Sequence, residues 1–187
     1  LFTWLSAAIV VLVRIGTEVG VSQSVGRGDE KSARIFARTG VQLEFIFAVI
    51  FALVLFLFTR YWISLFNIPE KEVYDNAVLY LRIISCGLVF YLINPIFSAS
   101  LNGTGNTKTP FLISAIGLAL NMALDPLLII GFELDIAGAA IATIFSQFVV
   151  TIVFIIYFFS KNTLLSKANF LKPIDKDKAK FIFKLGL

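Results

Sequence analysis

The chain has 187 residues, of which 58% are hydrophobic and 20 are Phe, and carries a net charge of +4 with a mean hydropathy of +0.90. Soluble domains use about 45–50% apolar residues, so the composition calls for a membrane as solvent and excludes an ordinary water-soluble enzyme. The chain has no His and a single Cys86, which excludes disulfide, zinc and familiar hydrolytic chemistry. Its basic residues fall between apolar runs rather than along one aromatic-laced stripe, which argues against nucleic acid.

Five apolar runs follow in chain order, at about 1–25, 41–59, 78–101, 110–131 and 136–159. Each is near or above the ~18 residues of a membrane-crossing helix. Lipid cannot satisfy free backbone groups, and the runs are too long for barrel strands, so the expected fold is an all-α polytopic transmembrane bundle of five complete spans. The chain starts at Leu1 without a signal-peptide pattern, and we expect it to be a fragment. A polar stretch, residues 161–180, follows the fifth run and reads as a cytoplasmic linker; residues 181–187 begin a further span.

The connections alternate in charge. The first carries Arg27, Lys31, Arg34 and Arg38, the third Lys108, and the tail several Lys; the second, around Glu70 and Glu72, is net acidic, and the fourth holds Glu133 and Asp135. The positive-inside rule puts the first connection, the third and the tail in the cytoplasm. The two inner connections echo each other as Gly26-Arg27-Gly28-Asp29-Glu30-Lys31-Ser32 and Gly103-Thr104-Gly105-Asn106-Thr107-Lys108-Thr109. Such an echo suggests two helix pairs of one orientation. Neither loop has the Gly-Lys-[Ser/Thr] of a P-loop or the third Gly of a dinucleotide fingerprint, so nucleotide binding is not expected.

Polar groups inside the runs are where function is to be sought, because a charge at the bilayer centre costs about 2.5–3.5 kcal/mol even on the lenient insertion scale. Asn121 and Asp125 stand four residues apart on one face of the fourth run and offer an amide carbonyl and a carboxylate to one cation. Pro126 follows and frees a backbone carbonyl. A kink-stabilising cap near the outer interface is the alternative for Asp125. Thr143 and Gln147, one turn apart in the fifth run, could complete the site, although an intramembrane Thr more often bonds to its own helix.

In the first run Arg14 and Glu18 have i,i+4 spacing and can pair, either beside a water-filled pathway or as a purely local ion pair. Glu44 opens the second run and is expected at the interface. Asn94-Pro95 in the third run reads as a kink, or as a hinge for alternating access.

Val21-Ser22-Gln23 running into Gly26-Arg27-Gly28-Asp29, the stretch Leu101 to Pro110, Asn121-x-x-x-Asp125-Pro126 and Ile136-Ala137-Gly138-Ala139-Ala140-Ile141-Ala142-Thr143 resemble, in order and spacing, the multidrug and toxic compound extrusion (MATE) family. The resemblance runs from Leu1 to about Ser160. It implies that the five runs are spans two to six of an amino-terminal six-helix lobe, followed by the interlobe linker. It also implies a cation-coupled antiporter, not an enzyme, that exchanges Na⁺ or H⁺ for small organic, often cationic, compounds in a bacterial or archaeal cytoplasmic membrane, with no cofactor beyond the coupling ion. By the same resemblance Asn121, Asp125 and Thr143 hold that cation, joined by an acidic residue of a first helix outside this chain. A flippase for lipid-linked saccharides and a non-transporting membrane scaffold or sensor are the competing readings.

Overall fold

A computed structural model describes residues 2–160, 165, 166, 168–170 and 172–186, and all regular structure among them is helical. Helices α1 (Phe2–Gly26), α2 (Glu30–Leu57), α4 (Lys71–Asn102), α5 (Lys108–Pro126) and α6 (Asp135–Phe159) correspond to the five apolar runs; a short α3 (Thr59–Ser64) follows α2, and α7 (Lys176–Gly186) ends the chain. Four of them, α2, α4, α5 with its extension to Gly131, and α6, are long and apolar enough to cross a membrane. The 25 residues of α1 extend roughly 37 Å, more than the ~30 Å of a hydrocarbon core.

Two helices begin earlier than the apolar runs, α2 at Glu30 rather than 41 and α4 at Lys71 rather than 78. Hydropathy registers only the lipid-embedded part of a helix. Outside the membrane α2 is held by its cap and a surface pair: Asp29 accepts the Ser32 N–H at 2.9 Å, and Arg34 meets Glu30 at 2.6 Å. Arg34 and Arg38, read from sequence as connection charges, therefore lie on the inner end of α2. The expected orientation is unaffected.

The two inner connections adopt the same conformation. Gly28 and Gly105 both have positive φ, 72° and 86°, a region that glycine enters without steric cost. The next residue caps the following helix in each case: Asp29 accepts from Ser32 N–H, and Asn106 from Thr109 N–H. Backbone bonds from Asp29 N–H to Ser24 C=O and from Asn106 N–H to Leu101 C=O also match. The sequence echo is thus a structural one, with α1–α2 and α4–α5 as two helix pairs turned by one kind of loop.

Packing centres on α4, which lies against α1, α2 and α6; α5 leans chiefly on α6, and α1 and α5 do not touch each other among the described residues. One apolar core gathers Val13, Phe36, Ile96, Phe97, Phe154 and Phe158, and a second gathers Val10, Ala48, Leu88 and Leu92. Small residues let the helices approach: Gly87 abuts Ile144, Gly117 abuts Val150 and Gly138 abuts the Leu128 carbonyl, as expected where van der Waals contact holds membrane helices together. The outward face of α5 is bare and apolar, with Phe111 71% and Met122 68% exposed, which suits lipid.

The polar stretch after α6 is strapped to the inner end of α2. Arg38 donates to the Pro173 carbonyl at 3.2 Å, and Gln42 donates to the carbonyls of Phe170 and Lys172. Residues 161–164, 167 and 171 of the expected linker lie outside the described residues. The last helix begins at Lys176 instead of 181 because the Asp175 carboxylate accepts the N–H groups of Asp177 and Lys178. It packs on α1, where Gly16 leaves room for the Ile182 backbone.

Candidate functional site

The pair expected to carry the cation forms at the carboxy-terminal end of α5. Asn121 Nδ2 reaches Asp125 Oδ1 at 3.3 Å, and both residues are half-buried. The amide thus orients one carboxylate oxygen, leaving the other Asp125 oxygen and the Asn121 carbonyl for a ligand. Just past Pro126 the chain widens into a π turn, Leu127–Gly131, and the Phe132 N–H bonds back to Leu127 C=O. Proline lacks the donor that would continue the α pattern, and the hydrogen-bond pattern changes from α to π directly beyond Asp125.

Thr143 stands at the right height but is turned elsewhere. The antiparallel register of α5 and α6, with Gly117 against Val150 and Gly138 against Leu128, sets Thr143 level with the turn 121–125. Its hydroxyl nevertheless donates to its own Ala139 carbonyl at 3.0 Å, and its side chain lines a cavity with Phe51, Leu88 and Gln147. Among the described residues no group of three His, Cys, Asp or Glu side chains could hold a metal ion. The three side chains carry four oxygens between them, too few by themselves to fill the coordination shell of a hard cation.

Gln147 is not directed to Asn121 and Asp125. It belongs to a cross-link between α4 and α6 in which Asn94 Nδ2 donates to the Gln147 Oε1 at 2.9 Å and to the Gln147 carbonyl at 3.1 Å. Thr151 completes it, its hydroxyl donating to Asn94 Oδ1 at 2.8 Å. Asn94, expected to serve the kink at Pro95, thus ties two helices together, and α4 continues through Pro95 to Asn102. Thr151 was not singled out from the sequence, yet Thr143, Gln147 and Thr151 recur every four residues and mark a polar edge of α6.

Two acidic residues depart from expectation. Arg14 and Glu18 do not form the intrahelical pair; the ion pair found among the described residues is Arg34–Glu30. Spacing permits an i,i+4 contact, but the exposed Arg14 lines a cleft instead. Glu44, expected at the interface, is enclosed by packing. It lies at the middle of α2, 0% exposed, with neither carboxylate oxygen bonded to a described residue. Because α2 starts at Glu30, eleven residues of helix precede the apolar run. One turn to either side, Gly40 abuts Thr17 of α1 and Ala48 clusters with Val10 and Leu92, so Glu44 faces the seam of α1, α2 and α4.

The cleft opens where α1 and α5 diverge, with α4 and α6 as its floor. It measures about 430 Å³ and is lined on its polar side by Arg14, Tyr91, Asn94, Ser98, Ser114 and Gln147. Ser114 is seven residues before Asn121 and eleven before Asp125, so the three share one face of α5.

The helical arrangement is paralleled in known proteins. The MatE family model matches residues 1–127. The chain belongs to the MatE family. It is 32% identical over 150 residues to a Thermotoga maritima protein described as "Probable multidrug resistance protein NorM", an alignment that takes in 78% of this chain and 32% of that one. It is 29% identical to the "FAD transporter" of Shewanella oneidensis, over 95% of this chain and 40% of that one. A solved inward-facing multidrug resistance MATE family transporter superposes with a TM-score of 0.88 at 22% identity, over 97% of this chain and 41% of its own. The chain thus spans about a third to two fifths of the length of these MatE-family relatives. Its membership of that family accords with the four helices that are long and apolar enough to cross a membrane.

Proposed function

We propose that the full-length protein is a cation-coupled antiporter that exports small organic compounds, and that Asp125 with Asn121 binds the coupling Na⁺ or H⁺. The observation that carries this reading is the half-buried Asp125 carboxylate, oriented by Asn121 on the face of α5 that also lines the polar cleft. Thr143 joins the site on rotation of its side chain, since it already stands at the height of the pair. The remaining oxygens come from water or from helices outside this chain.

A cation on Asp125 removes the penalty for closing its carboxylate away from water, so it favours one side-facing state. A ligand shifts such an equilibrium only by its differential affinity for the two states. Each 100 mV of membrane potential contributes about 2.3 kcal/mol per charge moved, or about fiftyfold in accumulation.

The test is the Asp125→Asn variant of the full-length protein in proteoliposomes. Membrane insertion is retained and cation-driven efflux is abolished. Efflux at the normal rate in that variant would sink the assignment.

A further inference from the structure

We propose that the cleft between α1 and α5 receives an anionic group of the transported compound, a carboxylate or phosphate, with Arg14 as its counter-charge. The proposal rests on the transporter reading and names the substrate class it requires. Arg14 is twelve residues from either end of α1, about 18 Å at 1.5 Å per residue, and so at the middle of the first apolar run. A charge there is costly and by default functional. All 12 acidic residues of the chain are among those whose side chains are described, and none is within ion-pair distance of Arg14. Glu18, one turn away, leaves it alone.

What Arg14 faces instead is a cavity of about 430 Å³ in which it is the one charged group. That size suits a small organic ligand. The hydroxyls of Tyr91, Ser98 and Ser114 can donate to a second oxygen of the same anion, and the floor is fixed by the Asn94–Gln147–Thr151 cross-link. A guanidinium is a flat fork of donors that matches two oxygens of a carboxylate or phosphate at once. The same cleft holds no carboxylate for an ammonium or other organic cation. The expectation of a cationic substrate, drawn from resemblance, thus finds no counter-charge in this half of the molecule.

The experiment uses the full-length protein in phosphatidylcholine vesicles and compares uptake of anionic carboxyfluorescein with that of cationic rhodamine 6G. For the wild type the anion is transported. Arg14→Gln lowers the ratio of anion to cation transport at least tenfold, as loss of a charge-assisted hydrogen bond requires, and Arg14→Lys, which keeps the charge, loses less. No carboxyfluorescein transport by the wild type, or an unchanged ratio in Arg14→Gln, overturns the proposal. Misfolding of Arg14→Gln together with an unchanged ratio in Arg14→Lys shows that Arg14 pairs with an acidic residue elsewhere in the protein, which also overturns it. Repeating the assay with phosphatidylglycerol distinguishes a lipid headgroup: transport lost only in that lipid assigns Arg14 to the headgroup and overturns a soluble anion. A failure of the cation-coupling reading looks different, because flux then no longer depends on the cation gradient while the dye ratio still depends on Arg14.

Discussion

Asn94 makes three inter-helix hydrogen bonds, donating twice to Gln147 and accepting once from Thr151, between positions that are only 6% exposed in the case of Asn94 and Thr151. Hydrogen bonds between membrane helices average about 0.6 kcal/mol and reach about 1.7. Asn94→Leu, which removes all three, is therefore expected to destabilise the full-length protein by about 2 kcal/mol. Thr151→Val, nearly isosteric, removes one bond to Asn94 and leaves Asn94 Oδ1 without its donor, at a cost of about 1 kcal/mol. Thr151 also bonds its own Gln147 carbonyl at 2.9 Å, so its hydroxyl stays satisfied when Asn94 is lost. The double variant should accordingly cost about the same as Asn94→Leu alone, giving a coupling energy close to the whole effect of Thr151→Val. Unfolding measured by steric trapping in detergent reads these differences. Strictly additive losses, or a Thr151→Val loss as large as that of Asn94→Leu, would refute the cross-link as drawn.

The repeated loops make a paired prediction: Gly28→Ala and Gly105→Ala, both at left-handed φ, each lower stability by about 1–2 kcal/mol, whereas Gly26→Ala, which meets nothing within 4 Å, is neutral in the same unfolding measurement. Removing the caps, by Asp29→Ala or Asn106→Ala, costs about 0.5–2 kcal/mol each; a neutral result at both would undo the equivalence of the loops. At Glu44, whose side chain has no described partner, Glu44→Gln keeps the shape and leaves the melting temperature within a few degrees of wild type. Glu44→Lys puts an obligatory charge on a longer chain into a filled seam and prevents stable insertion, read as loss of monodisperse protein on size exclusion.

Much of the architecture was already present in local sequence. Run length and hydropathy located the long helices, and the two Gly-x-Gly-[Asp/Asn] stretches encoded both a left-handed turn and the cap after it, because φ freedom and capping are properties of a few adjacent residues. The Asn121–Asp125 contact and the break in the α pattern after Pro126 were legible for the same reason: i,i+4 spacing and a missing N–H act within one helix. What required the tertiary structure was the direction of side chains that bond across helices. Asn94 looked like a kink residue and proved to be a cross-link; Gln147 turned to α4 rather than to the acidic pair; Arg14 left Glu18 for the cleft. Glu44 stood near the start of an apolar run, yet sits at the middle of its helix and fully buried, because α2 begins eleven residues before that run. Each of these depends on which helix stands opposite at a given height, and that is decided by glycine contacts such as Gly40 on Thr17 and Gly117 on Val150, between residues far apart in the chain.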